Sequence, residues 1–402
     1  MLSPKLKTVL TLAAISVASN LAVLNPASAQ VTEHVLHTFT SQPTGFPSSS
    51  LTSDSSGNLY GLTAGSVYEL TPNSSGGWTY HLLAFVPGGR GDFAGGKLAI
   101  DAAGNLYGST WQGGSSGCGF VFEVSPPSSG TVWTVNDIHQ FSCTDGAAAG
   151  FTMAFDAAGN LYGGTHNGGP NDYGVVFKLT PGAEGWTYAM LHAFTNAEGN
   201  GPQTGLVFDK NGNLFGGNES DVYELSPNSD GTWTESAAFA FTDATGFNPF
   251  GDLIFDAAGN LYGTNQAGGL SHGGTAFMLS PSAAGWTATV LHSFGSANDN
   301  DGYYPEGALT FDSAGNLYGT TTGGGGTNDG GIIYELSPVA SGAWTETILH
   351  RFGASGSPGG TVPQNALYLD ASGNLYGVTA AGGDPACYTP AGGCGTIFKI
   401  VR

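Results

Sequence analysis

Residue types that could do chemistry are few and scattered in this 402-residue chain. His166 and His272 each stand in a Gly-rich segment with polar neighbours: Asp172 and Tyr173 after the first, Asn265 and Gln266 before the second. A histidine with a carboxylate can move protons, although isolated residues in such segments more often simply face solvent. Asp252, Glu306 and Asp301 are the acids that could act as a pair, provided they converge to the roughly 5–10 Å that glycoside hydrolysis requires. Asn298-Asp299-Asn300-Asp301-Gly302 is dense in oxygen donors and occurs once. Asp299 and Asp301 are therefore candidate calcium ligands, and Ca2+ is the only cofactor the sequence suggests. No serine nucleophile elbow, phosphate-binding glycine loop or zinc-protease histidine pair is present. The same residues as a binding surface look stronger. Trp111, Gln112, Tyr173, Tyr303, Tyr304 and Tyr388, with Phe93 beside Arg90, set flat rings next to polar groups, an arrangement that stacks on sugars or peptide side chains.

What must position these residues is a repeat. Asp-x-x-Gly-Asn-Leu-Tyr-Gly begins at Asp54, Asp101, Asp156, Asp209, Asp256, Asp312 and Asp370, with Phe215 replacing one Tyr, at a period of 47 to 58 residues. Such a period marks one supersecondary unit repeated in tandem. Within Gly251 to Phe294, Leu253-Ile254-Phe255, Leu261 to Thr264, Thr275 to Leu279 and Trp286 to Phe294 read as four short strands broken by Asp/Gly, Gly-rich and Ser-Pro turns. Gly is abundant (67 residues), charge is sparse (10%) and hydrophobic residues make up 40%, as expected of many short strands with tight turns. Four strands per unit is the pattern of a β-propeller blade, whose faces are buried only against its neighbours.

The seventh unit supplies three strands and stops at Arg402. Residues 33–39, Glu-His-Val-Leu-His-Thr-Phe, match the fourth strands ending at Phe294 and Phe352. They are expected to complete the last blade of an all-β, seven-bladed propeller with four antiparallel strands per blade. Six other fourth strands open with Trp-Thr, from Trp78 to Trp344. In this scheme the Asp-x-x-Gly-Asn turns lie on one monotonous face, where the Asp caps its own turn. The strand 2–3 loops and the links into each strand 1 form the variable face, where binding usually resides.

His37, His139, His192, His292 and His350 occupy one position of the fourth strand, with Leu83 and Phe239 in the other two units. One per blade on the outermost strand, they cannot converge on one metal and read as packing.

Seven residues before each motif Asp stands Pro47, Pro202, Pro249, Pro305 or Pro363, with Ala94 and Ala149 in the remaining two units. The full string is Gly-x-x-Pro-x-x-x-Leu-x-x-Asp-x-x-Gly-Asn-Leu-Tyr-Gly-Thr, then Gly-Gly, then Val-Phe-Glu-Leu-Ser/Thr-Pro. It resembles the GloVer tandem repeat of secreted bacterial proteins, over nearly all of residues 33–402. The resemblance implies an exported repeat protein. It transfers no catalytic residue, because the family carries no assigned activity. Members often end in an anchor, which is not recognisable here and favours release. A looser likeness to sugar-lactonase and NHL-type propellers concerns the fold alone.

Lys5 and Lys7, the apolar run from Val9 and Ala27-Ser28-Ala29 read as a secretory signal peptide over residues 1–29. Its removal leaves seven basic against 30 acidic residues, a formal charge of −23. Such a body repels nucleic acid and anionic lipid, and nothing later resembles a membrane span. In an exported chain the four cysteines are expected to pair. Cys118 and Cys143 flank the third and fourth strands of unit two, and Cys387 and Cys394 bracket one loop, so the pairs Cys118–Cys143 and Cys387–Cys394 are expected. The functional expectation is a secreted or periplasmic, monomeric binding or scaffold propeller for a neutral glycan, a peptide or a basic protein surface. The alternative is a carbohydrate or lactone hydrolase or lyase, calcium-assisted or not. The absence of a recurring acid at the strand-1 positions weighs against catalysis.

Overall fold

The computed structural model describes residues 31–40, 46–86, 96–295, 300–340, 342–387 and 392–402. The signal-peptide reading, Arg90, Phe93, Asp299 and Tyr388 lie outside these residues. Seven antiparallel sheets, each with a four-strand core, follow one another as the blades of a propeller, and no helix occurs among the described residues. Blade 5 shows the four-strand order, Ile254–Phe255, Leu261–Ala267, Thr275–Ser282 and Gly285–Ser293, with Phe247–Pro249 of its link added as a fifth strand. In blade 7, Tyr368–Leu369, Leu375–Thr379 and Thr396–Val401 are joined by Thr32–Thr38 from the other end of the chain. That strand pairs antiparallel from Thr32↔Val401 to Thr38↔Thr396. The ring is closed as the sequence implies. Ser50 Oγ of blade 1 also accepts the Ala366 amide of blade 7 at 3.0 Å.

Each conserved-looking element of the repeat has a packing reason. Asp156 shows the turn: Oδ1 accepts the amides of Ala158 and Asn160 at 2.9 Å, and Oδ2 accepts Asn160 Nδ2 at 2.6 Å and Tyr162 Oη at 3.1 Å. Burial alone would raise this carboxyl, but those four bonds hold it below its usual range. In blade 4, where Phe215 brings no hydroxyl, Asn211 Nδ2 takes its place on Asp209 Oδ2 at 3.1 Å. The Asp is thus structural in every blade.

The Gly after the Tyr lies under a strand-3 ring. A Cβ at Gly163 would stand 2.5 Å from Phe177 Cζ, and one at Gly61 would stand 2.3 Å from Tyr68 Oη. The Trp of Trp-Thr packs on the motif aromatic of the preceding blade, as in Trp186 on Tyr107 at 5.7 Å and Trp286 on Phe215 at 5.4 Å. The donated N-terminal strand has no such Trp. Arg402 covers Tyr318 there, 4.4 Å from the ring centroid.

The strand-4 histidines line the outer seams between blades. Each faces the residue four positions before the equivalent site on the next blade. His37 stacks on Tyr80 at 3.9 Å and His139 on Tyr188 at 4.3 Å. His350 meets Glu33 at 3.5 Å and His292 meets Glu346 at 3.8 Å. The register corrects one assignment. Ala84, not Leu83, is the blade-1 equivalent, since Ala84 lies opposite Val67 as His292 lies opposite Ala276. Val86 takes the place of the terminal Phe, its amide on the Gly65 carbonyl as that of Phe294 is on Gly274, so Phe85 lies one residue early and points to Leu83, whereas six residues on from Trp78 is Ala84.

Both disulfides form with the expected pairing: Cys118–Cys143 with Cα atoms 5.4 Å apart and Cys387–Cys394 with Cα atoms 5.6 Å apart.

Candidate functional site

The links into strand 1 and the strand 2–3 loops meet on one face, as in the bridges Pro47↔Thr63, Ala147↔Asn167 and Thr361↔Ala381. At their centre the channel opens into a cavity of about 820 Å³, to which all seven blades contribute. Two stacked positions of the link supply its wall. The residue after the recurring Pro gives Ser48, Gln203, Phe250, Glu306 and Gln364. Two residues further along the link, Ser50, Asp252, Ala308 and Ala366 line it as well, while Lys97, Thr152 and Gly205 hold the same position in the other three blades. The flanking Pro and Leu repeat, while these two positions change from blade to blade. A variable site between constant ones is the mark of a surface freed from packing.

Four rings stand around the mouth: Phe46, Trp111, Phe151 and Phe250. Trp111 lies edge-to-face with Phe151 at 6.0 Å and tilted over His166 at 5.6 Å. His166 Nδ1 is held by the Pro202 carbonyl at 3.2 Å. Phe46 and Asn248 hold positive φ, 61° in both. That is costly for a side-chain-bearing residue and turns the link at the rim. Three polar atoms of the wall, Ser48 Oγ, Trp111 Nε1 and Gln203 Oε1, are buried without a protein hydrogen-bond partner. Buried polar groups are nearly always paired, so three residues lining one cavity each keep a polar atom unspent behind its surface.

The two acids of the mouth are tied into the wall. Asp252 accepts Thr152 Oγ1 at 2.5 Å and the Gly205 amide at 2.8 Å, and Thr152 Oγ1 in turn accepts the Lys97 amide at 2.7 Å. Burial pushes the Asp252 carboxyl above the usual range, against those two bonds and the charge of Lys97. The surrounding protein lowers the Lys97 ammonium, which Asp252 opposes. Glu306 accepts Gln266 Nε2 at 2.6 Å, and Gln266 accepts Asn248 Nδ2 at 2.6 Å. Burial raises Glu306, with the Gln266 bond opposing.

Of the residues singled out in the sequence, Trp111 and His166 reach this cavity, as do Asp252 and Glu306. Gln112, Asp172 and His272 are exposed on the loops and do not line it. Asp172 caps its own loop, accepting the Gly168 amide at 3.1 Å. Tyr173 packs against the seam core that contains Phe194 and Leu206. Asn265, expected on the surface, is instead fully buried, its amide donating to the Thr245 carbonyl at 3.1 Å. Tyr303 donates to Asp329 at 2.9 Å and lies 4.9 Å from Tyr304, away from the mouth. Asp301 turns to the outer seam, where Oδ2 lies 3.1 Å from His292 Nε2 and accepts the Gly295 amide at 3.0 Å. Missed were Phe46, Ser48, Phe151, Gln203 and Phe250. Their one visible sign was variation beside an otherwise repeated Pro.

The profile of the Gloeobacter/Verrucomicrobia repeat matches residues 63–222, 136–325 and 217–398. No curated protein sequence matches. Among solved structures, a streptogramin B lyase aligns with a TM-score of 0.57 at 13% identity, over 92% of this chain and 97% of its own. A catalytically inactive virginiamycin B lyase from Staphylococcus aureus with quinupristin gives 0.57 at 13%, over 92% and 99%. The extracellular domain of a two component system from B. thetaiotaomicron gives 0.55 at 11%, over 90% and 39%. At these identities the likeness is one of fold. Among the described residues no helix is long and apolar enough to cross a membrane.

Proposed function

We propose that this chain, which belongs to the Gloeobacter/Verrucomicrobia repeat family, is an exported, monomeric binding propeller that holds a neutral glycan or a peptide in its channel mouth. One observation carries the reading: four aromatic residues and three residues with an unpartnered polar atom line one cavity of about 820 Å³. That volume lies within the range of small-ligand sites. Rings stack on the apolar faces of sugars or on peptide side chains. Ser48, Trp111 and Gln203 would then supply a hydroxyl, a donor and an acceptor. The acidic surface disfavours anionic ligands and leaves a basic protein surface as the macromolecular partner of the same face. Export rests on the leader and the two disulfides.

Glycan and peptide arrays of the mature protein, with and without Ca2+, test this. The expected result is a hit weakened at least tenfold by Trp111→Ala and by Gln203→Ala. A hit indifferent to Trp111→Ala, Gln203→Ala and Phe250→Ala refutes the site.

A second reading, lactone or glycoside cleavage, is favoured by the raised Asp252 and Glu306 carboxyls with His166 at the same mouth. Both acids are occupied by protein donors, which ranks this reading second. Turnover of a lactone or glycoside panel that Glu306→Gln abolishes would promote it.

A further inference from the structure

Outside the mouth, the outer seams hold a second kind of constellation. In two of the seven, a strand-4 His meets an acid from the link that follows it and a Glu from Trp-Thr-Glu of the next blade. These are His192, Glu198 and Glu235 between blades 3 and 4, and His292, Asp301 and Glu346 between blades 5 and 6. In each triad the donor atoms lie within 4.8 Å of one another. His192 Nε2 is 3.4 Å from Glu198 Oε1, and His292 Nε2 is 3.1 Å from Asp301 Oδ2 and 3.8 Å from Glu346 Oε2. Ligands held about 2.0–2.1 Å from a tetrahedral zinc stand about 3.3 Å apart; the His–carboxylate separations of 3.1 and 3.4 Å match this, and the 3.8 Å to Glu346 is wider.

We propose that each of these two seams binds one divalent metal of the zinc class, with the imidazole and two carboxylates as ligands and the fourth position open to water.

Two further observations point to a cation. His192 Nε2 and Glu346 Oε1 are buried with no hydrogen-bond partner in the protein, so each triad leaves a donor atom unspent. Carboxylates also crowd each seam: Glu198 and Asp221 both repel Glu235 across the first, and Asp301 repels Glu346 in the second, where His292 and Arg351 oppose it and Arg351 donates to the Asn300 carbonyl at 3.2 Å. A nitrogen with two oxygens suits zinc better than calcium, which takes six or more oxygens.

The other seams show that the arrangement is not a by-product of the repeat. His139 has its link acid, Asp145, at 3.2 Å, but the next blade gives Tyr188, which stacks on the ring. His350 has Glu33, but its link carries no acid. Where the His is absent its partner is apolar too: Ala84 shares a core cluster with Val135, and Phe239 shares one with Ala288. Among the described residues the full triad appears only at the two seams named.

Zinc titration of tag-free, chelator-treated full-length protein by calorimetry tests the proposal. Two equivalents are expected. His192→Phe with Glu235→Ala, and separately His292→Phe with Glu346→Ala, copy the protein's own Phe239–Ala288 seam. Each pair of changes should fold and bind one equivalent, and the two combined should bind none. Should either pair fail to fold, Glu198→Gln and Asp301→Asn must each weaken one site at least tenfold. No uptake by the unaltered protein, or a stoichiometry untouched by these changes, overturns the proposal. The mouth is not involved, so its binding function stands or falls separately.

Discussion

Closure of the ring by its own N-terminus can be tested at Phe39. This ring is 1% exposed and lies between blades 7 and 1, 5.6 Å from Tyr68 and 5.9 Å from Tyr80. Its amide donates to the Gly395 carbonyl at 3.1 Å. Phe194 holds the equivalent place between blades 3 and 4, fully buried, 5.0 Å from Tyr223, with its amide on the Gly174 carbonyl at 3.0 Å. Phe194 sits in the middle of the chain and Phe39 near its end, so comparing them separates packing from closure. Truncating a buried Phe to Ala costs about 3–5 kcal/mol from lost transfer energy and the cavity left behind. If the donated strand is an integral edge of blade 7, Phe39→Ala and Phe194→Ala should each cost about that much. Urea unfolding followed by tryptophan fluorescence, with disulfides intact, reads both, and an unchanged slope keeps the comparison fair. A cost below about 1 kcal/mol for Phe39→Ala beside a full cost for Phe194→Ala would mean that the strand frays before the ring opens, and the closure argument would fail.

Three other outcomes follow from the packing. Tyr68, Tyr223 and Tyr334 bury hydroxyls with no partner, while four blades use Phe at the same place, so Tyr→Phe at each should leave stability unchanged or raise it by up to about 1 kcal/mol; a loss above 1 kcal/mol in urea melts refutes this. Gly163→Ala sets a methyl 2.5 Å from Phe177 Cζ and should cost about 1–3 kcal/mol by overpacking, whereas Gly→Ala at a site with free space and ordinary φ would not. Burial pushes Glu33 from 4.5 up to about 7. The folded chain therefore holds this proton where the unfolded chain has lost it, and stability falls as pH rises from about 4.5 to 7. Glu33→Gln should remove that fall and gain at most about 3 kcal/mol at pH 7, and a pH–stability profile in which Glu33→Gln is the less stable protein at pH 7 contradicts it.

The repeat alone determined the architecture. Seven copies of a strand–turn–strand motif, six Trp-Thr strands and one displaced match at residues 33–39 leave a single way to bury every blade face. The periodic residues face their own blade or the next, and local spacing encodes such contacts. That is why the Asp turns, the ring closure and both disulfides were legible. The mouth was not, because its residues come from the links of different blades and touch only once the circle is complete. Trp111 and His166 stood out as aperiodic, but Ser48, Gln203 and Phe250 gained meaning only when the ring turned one variable position inward in each blade. Asn265 looked like a loop residue and was drawn inside by the strand that extends through it. The five histidines were rightly seen as unable to meet one another. That two of them face paired carboxylates was decided by how neighbouring blades lie side by side, a relation that distance along the chain does not carry.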